Sequence, residues 1–174
     1  SESKSNFIKP HQLEVGDTIA FCAPSGFLDS TRMNLAKKRL IEKGFHIIYN
    51  NSLFRNWGYL AGEDDVRASE MMKYFKDKSV KAIFPGTGGY GATRILSFLD
   101  YNIIKENPKI FIGFSDITAL HIAMNNHSNL VTFHTPNPMY GIGSKNGLEP
   151  ISELYFWSLL MNSEDSYEIP FDIY

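Results

Sequence analysis

Residues 110–118 read Ile110-Phe111-Ile112-Gly113-Phe114-Ser115-Asp116-Ile117-Thr118. Three apolar residues, two of them β-branched, suit a strand buried on both faces. Gly113 permits a tight turn, and Ile117, Leu120 and Met124 or Ala123 then recur at helical spacing. A strand that passes through one turn into a helix is the building unit of a parallel α/β sheet. It places Ser115 on a sharp strand-to-helix elbow at the edge of that sheet.

The same alternation runs outward in both directions. Upstream, Val15-Gly16-Asp17 leads into a strand over about 18–23, which ends at Pro24-Ser25-Gly26. Asp29 or Ser30 can cap the next helix, where Met33, Ala36 and Leu40 share a face before Gly44 stops it. Phe45 to Tyr49 reads as a second strand. Ala68, Met71, Met72 and Phe75 mark a helix over about 64–76, and Val80 to Phe84 a third strand. A loop, Pro85-Gly86-Thr87-Gly88-Gly89-Tyr90-Gly91, precedes a helix bearing Ala92, Ile95, Leu96 and Leu99. Lys109 to Ile112 is the fourth strand, and Asn129 to Phe133 the fifth, ending at His134.

The predicted fold is therefore α/β, a mostly parallel sheet with helices on both faces and right-handed crossovers. Such sheets carry their sites at the C-terminal strand ends. Pro24-Ser25-Gly26, the glycine loop, the Ser115 elbow and His134-Thr135-Pro136 all fall there. Residues 1–11 read as a disordered or expression-derived lead, and 12–140 as the α/β domain. Residues 141–174 read as loop, then a helix over about 149–161 with Ile151, Leu154 and Tyr155 inward, then the start of an interrupted continuation at 167–174.

Bulk composition narrows the function. Lys+Arg 17 against Asp+Glu 19 gives a net charge of -2, without the basic excess that a nucleic-acid surface needs. No run of apolar residues is long enough to span a bilayer, and the opening Ser1-Glu2-Ser3-Lys4-Ser5 has no apolar signal core. The single cysteine, Cys22, lies in an apolar strand, excludes an intrachain disulfide framework and fits a reducing, cytoplasmic setting. His11, His46, His121, His127 and His134 show no short metal-ligand spacing, so no metal site is expected.

Ser115 admits two readings. It can be a nucleophile, with the N–H groups of Asp116 and Ile117 near a developing oxyanion. It can equally be an ordinary helix N-cap with Asp116 in the favoured acidic first turn. The glycine loop is open among a positive-φ turn, an oxyanion or substrate-carboxylate cradle and a dinucleotide fingerprint. The last lacks the acidic residue expected at the end of the following strand. No base is evident nearby. His121 lies six residues along the helix, roughly 9 Å from Ser115 along its axis. His134 ends the next strand, where it can act as base or shape the site. Glu63, Asp64 and Asp65 suit helix capping.

Three ordered stretches resemble the L,D-carboxypeptidase family of serine peptidases, which includes the murein tetrapeptide carboxypeptidases and microcin-immunity peptidases. They are Ala23-Pro24-Ser25-Gly26, then Tyr59-Leu60-Ala61-Gly62-Glu63-Asp64-Asp65-Val66-Arg67-Ala68. The third runs from Gly88-Gly89-Tyr90-Gly91-Ala92-Thr93-Arg94 through Asn107-Pro108-Lys109 to Gly113-Phe114-Ser115-Asp116. The likeness covers about residues 12–140, the family's N-terminal domain. It implies that Ser115 is the nucleophile, with an oxyanion hole from Gly88, Gly89 and the N–H of Asp116. Ser25, Thr87, Tyr90 and His134 would face the substrate. The general base and its orienting glutamate would come from a C-terminal domain of the same protein, absent from this chain. The implied reaction removes a terminal D-residue from a cytoplasmic muropeptide, in a homodimer and without a cofactor.

Two positions depart from the family pattern. Thr87 stands where Arg-Gly-Gly-Tyr-Gly is common, and Thr135 where His-Gly-Pro is common. A lost arginine can cost a buried carboxylate contact on the order of 2–5 kcal/mol. The departures leave open an aminoacyl-nucleotide amidase of the microcin type, or a module that binds a small peptide or nucleotide-peptide without cleaving it.

Overall fold

The computed structural model describes residues 6–162. Five parallel strands form one sheet in the order β2-β1-β3-β4-β5: β1 Thr18–Cys22, β2 His46–Ile48, β3 Val80–Pro85, β4 Ile110–Gly113 and β5 Phe133–His134. The order reverses between β1 and β3, the doubly wound arrangement whose crevice at the strand ends is a natural binding site. The mostly parallel α/β reading of the sequence is thus the observed fold.

Side chains alternate along each strand, and the alternation divides the core in two. Ile19, Phe21, Ala82, Phe84, Ile110 and Ile112 face α1 (Ser30–Glu42) and α5 (Pro150–Met161). Ala20, Cys22, Ile83 and Phe111 face α2 (Asp64–Lys76), α3 (Tyr101–Glu106) and α4 (Thr118–Ser128). Both faces are covered, which is why the strands are nearly continuous in apolar residues. Cys22 is a buried core thiol, and burial raises its pKa well above the ordinary value. Among the described residues no helix is long and apolar enough to cross a membrane.

Local chemistry explains most boundaries. The Asp29 carboxylate caps α1 by accepting the Thr31 N–H at 2.9 Å. Four expectations change. The segment after the glycine loop is a 3₁₀ helix over Ala92–Phe98, and Leu99 is extended. Asp100, which accepts from Asn102 and Ile103, then starts α3, a helix the periodicity did not reveal. The fifth strand is short because Asn129 adopts φ 52 and closes α4 in the left-handed conformation. Leu130 instead bridges Ile8, with Ile8 N–H donating to Asn129 O at 2.7 Å, so the described part of the opening segment pairs with the domain.

The fourth change concerns α5, whose expected inner face is reversed. Ile151 and Leu154 are 69% and 65% exposed, whereas Phe156, Trp157 and Leu160 are buried. Apolar residues surround this helix, so no single stripe stands out. Its partners choose the face: Trp157 stacks on Phe45 at 5.5 Å, and Phe156 meets Phe84 edge-on at 6.3 Å. The expected strand at 167–174 lies outside the described residues.

Candidate active site at the serine elbow

β4 carries the chain to the C-terminal edge of the sheet. At Gly113 a Cβ atom would sit 2.2 Å from Ile117 Cγ2, so only glycine lets the next turn fold back against the strand. Ser115 follows with φ 59, one of two described non-glycine residues at positive φ. Such a backbone costs on the order of 1–3 kcal/mol and persists only where its surroundings hold it. Its side chain is exposed, at the start of a short 3₁₀ turn, Ser115–Ile117, that runs into α4. This is the strained elbow, and a simple N-cap would not need it.

Four side chains hold the elbow in place. Asn137 is buried and clamps Phe114 on both sides: its Oδ1 accepts the Phe114 N–H at 3.2 Å, and its Nδ2 donates to Phe114 O at 3.3 Å. His121 is buried behind the strand end. Its Nε2–H donates to Gly113 O at 3.0 Å, so Nδ1 accepts from the Thr132 hydroxyl at 2.7 Å. Burial lowers the His121 pKa, opposed by the bond to Gly113 and reinforced by His134. Asp116 Oδ2 accepts both the Ser25 hydroxyl at 2.5 Å and the Ala92 N–H at 2.9 Å. The elbow is thereby tied to the ends of β1 and of the glycine loop.

The glycine loop meets the elbow directly. Gly26 N–H donates to Gly88 O at 2.9 Å. A Cβ on Gly88 would lie 3.1 Å from Asp116 N and 3.2 Å from Ser115 Cβ, so the missing side chain keeps space open before that N–H. Gly89 needs glycine for another reason, a φ of 97°. Thr87, Gly88, Gly89, Phe114, Ser115, Pro136, Asn137 and Tyr140 line one cavity of about 390 Å³. The expected Ser115, Gly88, Gly89 and Thr87 thus converge there.

The other expected residues sit differently. Ser25 is fully buried, and its hydroxyl donates to Asp116, which ties it to the elbow. Tyr90 is exposed outside the cavity, edge-on to Tyr59 at 5.5 Å. His134 Nε2 lies 3.2 Å from Thr118 Oγ1, and its ring is 5.3 Å from that of Phe114. Among the described residues no side chain hydrogen-bonds to the Ser115 hydroxyl. No three His, Cys, Asp or Glu side chains among them are grouped to hold a metal ion.

Sequence reasoning missed Arg67, Glu70 and Asn137. Arg67 is fully buried, and burial lowers its pKa while Asp64 opposes the shift. Glu70 accepts the Ala23 N–H at 2.7 Å and pairs with Arg55, which also donates to Ala23 O at 3.2 Å. A signal existed for the first: Arg67 precedes Met71 by four and Tyr74 by seven, which places it on the buried stripe of α2. Asn137 carried no periodic signal, because it lies in a loop.

The domain is thus a parallel α/β sheet that presents a strained, exposed serine beside a glycine loop at a strand-to-helix junction. Residues 19–135 match the LD-carboxypeptidase N-terminal domain, and the chain belongs to that family. It is 36% identical over 159 residues to the probable murein peptide carboxypeptidase of Bacillus subtilis, covering 91% of this chain and 50% of that one. It is 30% identical over 164 residues to the microcin C7 self-immunity protein MccF of Escherichia coli, covering 91% and 48%. The crystal structure of an MccF-like protein from Bacillus anthracis superposes with TM-score 0.83 at 35% identity, over 88% of this chain and 47% of that one. MccF in complex with aspartyl sulfamoyl adenosine gives 0.85 at 29%, over 92% and 50%. The chain spans about half the length of these relatives.

Proposed function

We propose that the full-length protein is a serine carboxypeptidase that hydrolyses the amide bond before a terminal D-residue of a muropeptide. The observation that carries this reading is the exposed Ser115 at φ 59 beside Gly88, whose lack of a side chain leaves the Asp116 N–H accessible. Ser115 Oγ attacks the scissile carbonyl carbon while a base takes its proton. The Asp116 N–H and the Gly88-Gly89 backbone stabilise the oxyanion. Collapse expels the amine, which receives that proton, and leaves an ester on Ser115. Water then cleaves the ester and restores the serine. The base and its orienting acid come from a C-terminal domain of the same protein.

A second reading is favoured by Thr87, which brings no charge to a largely apolar cavity wall. It makes the substrate an aminoacyl nucleotide, as the likeness to MccF suggests. Mass spectrometry of the full-length protein with a murein tetrapeptide and with an aminoacyl sulfamoyl nucleoside separates the readings. Release of a terminal D-residue supports the first, and loss of the aminoacyl group supports the second. A saturable complex with both ligands intact overturns both in favour of a binding module.

A further inference from the structure

Arg67 and Asp116 grip the same two pieces of chain from opposite sides. From α2, Arg67 Nη1 donates to Pro24 O at 2.7 Å and to Gly91 O at 2.8 Å. From the elbow, Asp116 Oδ2 accepts from the residues that follow each of those carbonyls, Ser25 through its hydroxyl and Ala92 through its N–H. The two segments are the end of β1 and the end of the glycine loop. They also meet directly, where Gly86 N–H donates to Cys22 O and Gly26 N–H to Gly88 O, both at 2.9 Å.

Arg67 itself is fixed from the remaining directions. Its Nε donates to Gly62 O at 3.0 Å, and Nη2 bonds the Asp64 carboxylate, which also accepts from Arg94 Nε at 3.0 Å. The side chain has no exposure, and its three carbonyl partners come from three separate loops. Gly91 is shaped around it: a Cβ there would lie 3.0 Å from Arg67 Nη1, at a φ of 124°. A buried guanidinium spent on backbone carbonyls is stable only when its donors are matched, and the planar fork supplies that match where an ammonium cannot.

We propose that Arg67 is a positioning residue for the chemistry at Ser115: by holding Pro24 and Gly91 it sets the Asp116 carboxylate, and through it the elbow and the oxyanion N–H groups. The inference rests on the serine-hydrolase reading above. It assigns Arg67 no contact with substrate. Misplacing donors by a fraction of an ångström penalises the transition state more than the bound substrate, so kcat should suffer and KM should not.

The test is a double-mutant cycle in the full-length protein with Arg67→Lys and Asp116→Ala, with turnover, KM and thermal unfolding measured for each. Arg67→Lys should lower kcat roughly 10–100-fold with KM within about twofold of wild type. The double variant should fall no more than about threefold below the weaker single variant, because both act through one brace. Full kcat in a folded Arg67→Lys protein, or losses that multiply, overturns the proposal. If Arg67→Lys does not fold, Ser25→Ala carries the test, since it cuts the brace and leaves Arg67 in place; undiminished kcat there overturns it. Ser115→Ala separates the two levels. Turnover retained in that variant defeats the serine reading, whereas its loss beside a fully active Arg67→Lys defeats only the positioning role.

Discussion

The two edges of the sheet are held by different means. At the N-terminal edge glycines absorb the unusual backbone, Gly16 at φ 95 before β1 and Gly44 at φ 105 before β2, and β3 is entered from a turn where Asp77 accepts the Ser79 N–H at 2.9 Å. One buried side chain there binds backbone across strands: Lys109 Nζ donates to Asp77 O at 2.5 Å and Val80 O at 2.6 Å, and burial lowers its pKa to about 8. At the C-terminal edge Arg67, Asp116, His121 and Asn137 bind backbone at or beside positive-φ positions that include the non-glycine Ser115, and Glu70 binds the Ala23 N–H. Regular strands need few polar anchors because the ladder satisfies their backbone. A strained elbow leaves groups unmatched, and buried polar side chains must take them.

The largest break in this contrast is Ser115→Ala. It should abolish hydrolysis by the full-length protein, roughly 10⁴–10⁶-fold in kcat, and barely alter thermal unfolding. Residual turnover near wild type in a clean preparation would remove Ser115 from the mechanism. Gly88→Ala comes next, because its Cβ would crowd Asp116 N and Ser115 Cβ. A drop of roughly 10²–10³ in kcat is expected, the scale of losing one oxyanion donor. An unchanged rate would place the oxyanion elsewhere.

Asn137→Ala removes both bonds to Phe114 and should cost about 1–3 kcal/mol of stability together with a loss of turnover. Lys109→Met sharpens the comparison from the other edge. It leaves Asp77 O and Val80 O without that donor, so stability should fall by about 1–3 kcal/mol while kcat stays within roughly twofold. A selective loss of kcat in Lys109→Met would erase the distinction between the edges.

The smallest effect is the pH response of His121. Its pKa in the fold lies below the ordinary 6.5, so as pH falls the unfolded chain takes up the proton first. The contribution is whole above 6.5 and declines as pH drops from there toward the lowered value. Unfolding midpoints of wild type and His121→Gln should therefore converge as the medium is acidified from about pH 7.5 to 5. A constant gap between the two would show that His121 does not change protonation in that window.

Much of this edge was legible in the chain itself. Glycine beside serine after a two-faced apolar strand indicated the elbow, and the order of Pro24-Ser25-Gly26, the glycine loop and Ser115 placed them on one edge. Ser25 was placed at the right edge, but the chain does not reveal that its hydroxyl turns inward to Asp116. Arg67 was given no task from sequence, although its spacing from Met71 pointed inward. In α5 nearly every side is apolar, so sequence could name the helix and not its buried face.

By itself the sequence determined the alternation of strands and helices, the parallel sheet and the sharp turn at Gly113-Phe114-Ser115. Those features follow from residue periods of about two and 3.6 and from one glycine, all sensed within a few neighbouring positions. Only the tertiary structure decided which face of α5 is buried, and which atoms brace the serine. Ser25 and Asp116 are 91 positions apart, and Arg67 lies 43 from Pro24. Contacts at that range exist only after the crossovers have stacked β1, β3 and β4 side by side, and no local pattern encodes them.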